Sequence, residues 1–286
     1  MTSPWTAPDE VPSPPLVDVT LVIPFFNPGP TVRSTVERAR HALQTTGRSF
    51  EIIAVSDGST DGSAEALEGS FPDSLRTVAL PSNRGKGYAV RTGFELGHGR
   101  YLGFIDADGD IAPELLAEFV ETCFRTRADV CFGSKWHSEA SVTYPLARRV
   151  YSRGYQRLVR ALFHLPVPDT QTGLKLYRRE LLDIVLPMAV EERFAFDLEL
   201  FVLAQQKGFD QFVGLPVDVA KQKSSTVSFG SVWSVLRDTL AIFWRLRVRR
   251  GRGRPRRAEG RPGERREGVG SGHAAPDADL GDQVTN

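Results

Sequence analysis

The sequence predicts an α/β domain built on a mainly parallel sheet. Three observations carry that expectation. Short β-branched and aromatic runs alternate with stretches of helical periodicity, and the loop after each of the first four runs is rich in Gly, Asp or Asn. The fourth run, YLGFIDADGD from Tyr101 to Asp110, ends in a pair of carboxylates. In open parallel sheets ligands bind beyond the carboxyl ends of the strands, so these loops are expected to share one functional edge.

VTLVIPFF, Val19 to Phe26, reads as a buried strand closed by Asn27-Pro28-Gly29-Pro30. A helix from Pro30 or Thr31 to about Gln44 places Val32, Val36, Ala39 and Leu43 on one face. EIIAVS, Glu51 to Ser56, is the second strand, and Thr60 or Asp61 is a suitable N-cap for a short helix after it. RTVAL is the third strand, followed by Asn83-Arg84-Gly85-Lys86-Gly87 and a helix through Leu96. After the fourth strand, Pro113 opens the helix of ELLAEFVETCF, and DVCFGSK is a fifth strand. Leu146 to Phe163 is a basic amphipathic helix, Phe196 to Gln206 another helix, and FVGLPVDV holds two short strands.

The chain divides into a lead-in at 1–18, a folded domain at 19–228, an amphipathic helix at 229–248 and an Arg-rich tail at 249–286. The prolines of the lead-in favour an extended chain, and it lacks the basic and apolar regions of a signal peptide. The tail is too polar to bury a core, so disorder is expected there. In the helix, Val232, Val235, Leu236, Leu240, Phe243 and Leu246 share one face, flanked by Trp233 and Trp244. That pattern suits a membrane surface. No apolar run reaches the roughly 18 residues that span a bilayer, so membrane contact is expected to be peripheral.

With 286 residues, 41% of them hydrophobic, the chain can bury one large core or two smaller ones. Lys and Arg number 36 against 35 Asp and Glu, which argues against a nucleic-acid partner. Cys123 and Cys131 have neither CxxC spacing nor a neighbouring His cluster, so no zinc site or disulfide framework is indicated.

Asp106 and Asp108 are the first candidate site. Alternate residues of an extended segment point to one side, and two carboxylates so placed repel unless a cation lies between them. Hard oxygen ligands suit Mg²⁺ or Mn²⁺, which in turn bind a diphosphate. Asp57, Ser59, Asp61, Gly62 and Glu68 match the spacing of an EF-hand calcium loop, but EIIAVS before them reads as a strand where that motif needs a helix. Asp57 is better used as an acceptor for the base or ribose of a nucleotide. Gly85-Lys86-Gly87 lacks the third glycine of the dinucleotide fingerprint, since Val90 stands there. It remains a cationic loop from which Lys86 can reach a phosphate.

IPFFN, VSDGSTDGS, NRGKGYAVRTG, IDADGD, DTQTGLKLYRREL and RFAFDLEL, in this order, resemble family 2 inverting glycosyltransferases of the GT-A fold, with a Rossmann-like sheet. The resemblance runs from about Val19 to Val219 and is strongest to the dolichyl- and polyprenyl-phosphate sugar synthases, the dolichyl-phosphate β-glucosyltransferases above all. It implies that Pro24, Phe26 and Asn27 line the nucleotide pocket and that Asp57 holds the base or ribose. It places Lys86 near the base or diphosphate, Asp106 near the nucleotide, Asp108 as the more direct metal ligand and Asp110 as a helper. Gln171 and Lys175 would face the sugar and acceptor, and Asp197 matches the acidic position that serves as base in many relatives. One departure is Pro28, where such enzymes usually carry an acidic residue.

The implied reaction moves a hexose, glucose or mannose, from UDP-glucose or GDP-mannose to a polyprenyl phosphate at the cytoplasmic membrane face. An acceptor phosphate is ionised at neutral pH and has no proton to lose, so Asp197 either removes a proton or only orients substrate, depending on the acceptor. A soluble glycan or small-molecule acceptor is the alternative that would need a true base. A non-catalytic nucleotide-sugar-binding membrane scaffold is the alternative from another class.

Overall fold

The computed structural model describes residues 16–134, 146–167, 170–193, 195–218 and 229–252. Most of the lead-in and the tail beyond 252 lie outside them. A seven-stranded sheet has the order β3-β2-β1-β4-β6-β5-β7. Its strands are β1 (Val17–Phe25), β2 (Phe50–Ser56), β3 (Leu75–Ala79), β4 (Gly99–Ile105), β5 (Val130–Ser134), β6 (Leu174–Arg178) and β7 (Phe212–Pro216). The first four are mutually parallel; β6 runs antiparallel to both β4 and β5.

Helices cover both faces. On one, α1 (Thr31–Thr45) and α3 (Leu116–Thr126) pack Val36, Leu43, Phe119 and Val120 against Leu21, Ile23 and Ile105. On the other, α2 (Lys86–Leu96), α4 (Leu146–Phe163), α5 (Arg179–Val185), α6 (Phe196–Gln206) and α7 (Phe229–Arg252) close over Val22, Ile53, Phe104 and Tyr177. Coverage on both faces explains why β1 reads as a nearly continuous apolar run. Each fully buried Leu or Ile in these layers contributes about 1.5–3 kcal/mol relative to exposure.

The expected elements recur with shifted ends, and five differences matter. β1 begins at Val17, inside the expected lead-in. The short helix after β2 is a single 3-10 turn, Glu65–Leu67, with Ala64 at its N-cap; Asp61 instead accepts the Gly29 N–H at 2.8 Å and joins the loops after β1 and β2. LKLYR forms β6, which alternation alone left unassigned, and α5 follows it. FVGLPVDV yields one strand in the described residues, β7. α7 continues to Arg252, four residues past the expected end.

The buried stripe of α7 is also rotated from expectation. Ile242, Leu246 and Thr239 are buried, with Val235, Leu236 and Phe243 half-buried, whereas Leu240 and Trp244 face outward. Thr239 Oγ1 lies 3.0 Å from the Tyr155 hydroxyl of α4, and Phe163 meets Phe243 edge to face. The Arg245 guanidinium donates to Glu199 at 2.7 Å and Glu191 at 3.0 Å. Among the described side chains, most of the apolar face thus packs on the domain while Leu240 turns away from it; the side chains of Val232 and Trp233 lie outside the described ones. Among the described residues no helix is long and apolar enough to cross a membrane.

Candidate nucleotide-sugar site

Between β1 and β4 the strand order changes direction, and there the two strands part. Their pairing ends at Val22↔Phe104. Two residues on is Pro24, which has no N–H to extend a ladder. A cavity of about 780 Å³ opens at this point, lined by Pro24, Phe26, Asn27, Asp57, Lys86, Asp106 and Asp108 among others. Seven of the eleven residues expected in the site from sequence therefore share one cavity, with Pro28, Thr31, Asn83 and Arg193 beside them.

Loop chemistry shapes each position. Asn27 adopts a left-handed backbone (φ 48°), and its side-chain oxygen accepts the Thr60 N–H at 2.8 Å. Asp57 is buried, and its two oxygens accept the Arg84 and Gly85 N–H groups, each at 2.8 Å. It thus holds the third loop against the second while lining the cavity. The EF-hand spacing has no counterpart in space: Asp57 turns to the third loop and Asp61 to the first. Phe26 is half exposed at the rim.

Lys86, the first residue of α2, makes an ion pair with Asp106 at 2.6 Å and lies 4.7 Å from the Phe104 ring centroid. Burial alone would lower its pKa, but Asp106, Asp197 and Asp108 outweigh that and hold the ammonium above its ordinary value. The Asp106 N–H donates to the Gly173 carbonyl, while Asp108 is exposed and accepts the Asp110 N–H at 3.0 Å.

Behind this cluster sits a second pair. Lys175 and Asp197 approach to 3.3 Å, and Lys175 also donates to the Thr172 carbonyl. Lys175 is wholly buried and faces Asp197. Asp197 is buried too, and neither it, Lys175 nor Gln171 lines the cavity. Lys175 and Lys86 lie at 5.0 and 4.7 Å from the same Phe104 ring, which links the two pairs.

The carboxylates fit a hard divalent cation in part. Among the described residues no cluster of three His, Cys, Asp or Glu side chains is placed to hold a metal alone. Mg²⁺ is commonly bound through one or two carboxylates with substrate phosphates and waters completing its shell. Asp108, exposed at the cavity, suits that arrangement; Asp106 has one oxygen engaged by Lys86.

Sequence reasoning missed Arg193, which lies on the cavity wall. It opens the RFAFDLEL motif, in which only Asp197 was given a role. Gly173 was missed as well, because the need for a bare α-carbon arises only when β6 is set beside β4.

A doubly wound sheet with carboxylates and a lysine gathered at its switch point has the ligand-binding edge of an open α/β protein. The model of glycosyl transferase family 2 matches residues 20–185, more than half of the chain, and the protein belongs to that family. The chain is 31% identical over 207 residues to a dolichyl-phosphate beta-glucosyltransferase of Drosophila melanogaster, covering 67% of this chain and 64% of that one. It is 28% identical to glycosyltransferase AglD of Haloferax volcanii, over 82% of this chain and 38% of the relative. A polyprenol monophosphomannose synthase of Mycolicibacterium smegmatis is 29% identical, over 71% and 77% respectively. The chain thus spans less than two thirds of the length of several curated relatives. The fold matches glucosyl-3-phosphoglycerate synthase of Mycobacterium tuberculosis, solved with Mn²⁺ and UDP, with a TM-score of 0.62 at 18% identity, over 80% of this chain and 81% of that one.

Proposed function

We propose that the protein is an inverting hexosyltransferase that moves glucose, or next mannose, from a nucleotide diphosphate sugar to a polyprenyl or dolichyl phosphate. The observation that carries this reading is the convergence of Asp57, Lys86, Asp106 and Asp108, from three loops, on one cavity. The relatives named for dolichyl-phosphate glucosylation and polyprenol phosphomannose synthesis support the acceptor class.

In this reading the nucleoside lies between Phe26, Pro24 and Asp57, and the diphosphate points toward Lys86 and Asp108. The cavity walls carry three carboxylates and two cations, a formal excess of one negative charge that opposes a diphosphate. Mg²⁺ or Mn²⁺, which Asp108 with Asp106 would hold, would supply positive charge against the leaving diphosphate. Attack by the acceptor phosphate from the opposite side inverts the anomeric carbon. Such a nucleophile needs no base, which accords with Asp197 being paired to Lys175 and acting to orient the site.

The outer face of α7, with Leu240 43% and Trp244 64% exposed, is proposed to meet the cytoplasmic membrane surface where a polyprenyl acceptor resides. The test is a transfer assay with purified protein, Mg²⁺ or Mn²⁺, a short polyprenyl phosphate, and UDP-glucose beside GDP-mannose. Lipid-linked sugar from one donor, lost in Asp108→Ala, is expected. Absence of lipid product from either donor, with donor still hydrolysed, would move the acceptor to a soluble molecule.

A further inference from the structure

We propose that Arg193 is the phosphate-binding cation of the cavity, the point where an anionic group of one of the two substrates is received. The proposal rests on the functional reading above and adds a residue to it. Among the described residues, the other cations around the cavity are already paired. Lys86 is held by Asp106 at 2.6 Å, Lys175 by Asp197 at 3.3 Å, and Arg84 by Glu192 at 2.6 Å while it stacks 3.5 Å above Tyr88. Arg193 is exposed on the cavity wall and has no carboxylate within ion-pair distance among the described residues. Its acidic neighbours are spent elsewhere, Glu192 on Arg84 and Glu191 on Arg245.

The backbone around Arg193 is fixed although its guanidinium has no such partner. The Tyr88 N–H donates to the Glu192 carbonyl at 2.9 Å, and the Phe196 N–H to the Arg193 carbonyl at 3.2 Å. Gly85 (φ +108°) lies directly beneath: a Cβ there would stand 2.7 Å from the Glu192 oxygen and 3.0 Å from Arg193 Cγ. The stem is thus seated against the same loop that presents Lys86. A planar guanidinium on a seated stem, in a cavity with a surplus of carboxylate, is matched to a phosphate that it can bind through two N–H groups. Two phosphates enter the reaction, the donor diphosphate and the acceptor monophosphate, and the chemistry is common to both.

The experiment uses the full chain with Arg193→Gln, which keeps the stem over Gly85, and Arg193→Lys, which keeps the charge. Calorimetric titration with Mn²⁺-pyrophosphate and Mn²⁺-UDP reads the donor side; acceptor KM with a short polyprenyl phosphate reads the other. If Arg193 serves the donor, Arg193→Gln weakens pyrophosphate and UDP about tenfold or more, and Arg193→Lys recovers part. If it serves the acceptor, nucleotide affinity is unchanged and acceptor KM rises by a similar factor with a smaller change in kcat. Equal pyrophosphate, UDP and acceptor behaviour in wild type and both variants, within twofold, overturns the proposal. A wild type that binds none of the three probes overturns it also. Pyrophosphate binding that depends on Arg193, in a protein that transfers no sugar, sustains the anion site and fails the transferase reading.

Discussion

Asp106 reaches the cavity because Gly173, its neighbour across the β4–β6 pair, has no side chain. A Cβ on Gly173 would overlap Asp106 Oδ2 and stand 2.6 Å from its Cγ, while the Gly173 carbonyl accepts the Asp106 N–H at 3.0 Å.

The first prediction follows from that contact. Gly173→Ala must displace the Asp106 carboxylate, and with it the Lys86 ion pair. Turnover is expected to fall at least about tenfold, the equivalent of about 1.4 kcal/mol in the transition state. The melting temperature should fall as well, since overpacking costs about 1–3 kcal/mol. Steady-state kinetics beside thermal melts check it; wild-type turnover in a stably folded Gly173→Ala would show that Asp106 need not sit where it does.

Lys175 and Asp197 should respond unequally. Lys175→Met leaves Asp197 buried without its ammonium, a loss of about 3–5 kcal/mol for breaking a buried pair. Asp197→Asn keeps a polar partner for Lys175 and should lower kcat by about tenfold without abolishing it, because a phosphate nucleophile gives up no proton. Loss of all measurable turnover in Asp197→Asn, with stability retained, would identify a true base and hence a hydroxyl acceptor.

For α7 the two faces separate packing from surface contact. Ile242→Ala should cost about 2–5 kcal/mol in chemical denaturation, as a fully buried Ile in the core. Leu240→Ser with Trp244→Ser, both exposed, should leave the denaturation midpoint unchanged yet weaken sedimentation with anionic lipid vesicles severalfold. Unchanged vesicle binding in the double variant would remove α7 from the membrane contact.

The bridge at Arg245 carries a pH signature. Burial is the largest influence on Glu191 and raises its carboxyl above the ordinary 4.5, with Arg245 opposing that only in part. A carboxyl raised in the folded state contributes stability below the unfolded pKa and loses it as pH rises through the folded value. The advantage of Glu191→Gln over wild type should therefore grow between pH 4 and neutrality and flatten above. Parallel denaturation curves across that range measure it, and an advantage that shrinks with rising pH would refute the assignment.

Much of the site was legible in the chain because period-two apolar runs fix where strands end, and loop residues follow at once. That is why Asp57, Lys86, Asp106 and Asp108 were found, each standing within a few residues of a strand or helix end. What lies in β6 and beyond was harder. LKLYR is too short to declare a strand, and its antiparallel insertion between β4 and β5 depends on pairing distant in sequence.

The sequence by itself determined the α/β class, the family motifs and the shared edge of the first four loops, because these depend on local periodicity and turn chemistry. Only the tertiary structure decided which charges are spent on one another. Lys175 faces Asp197, Asp57 faces a loop backbone, α7 turns Ile242 inward, and Arg193 is left facing the cavity. The physical reason is that pairing and burial are properties of contacts between residues far apart in the chain, up to 108 positions for Arg84 and Glu192, which no local pattern encodes.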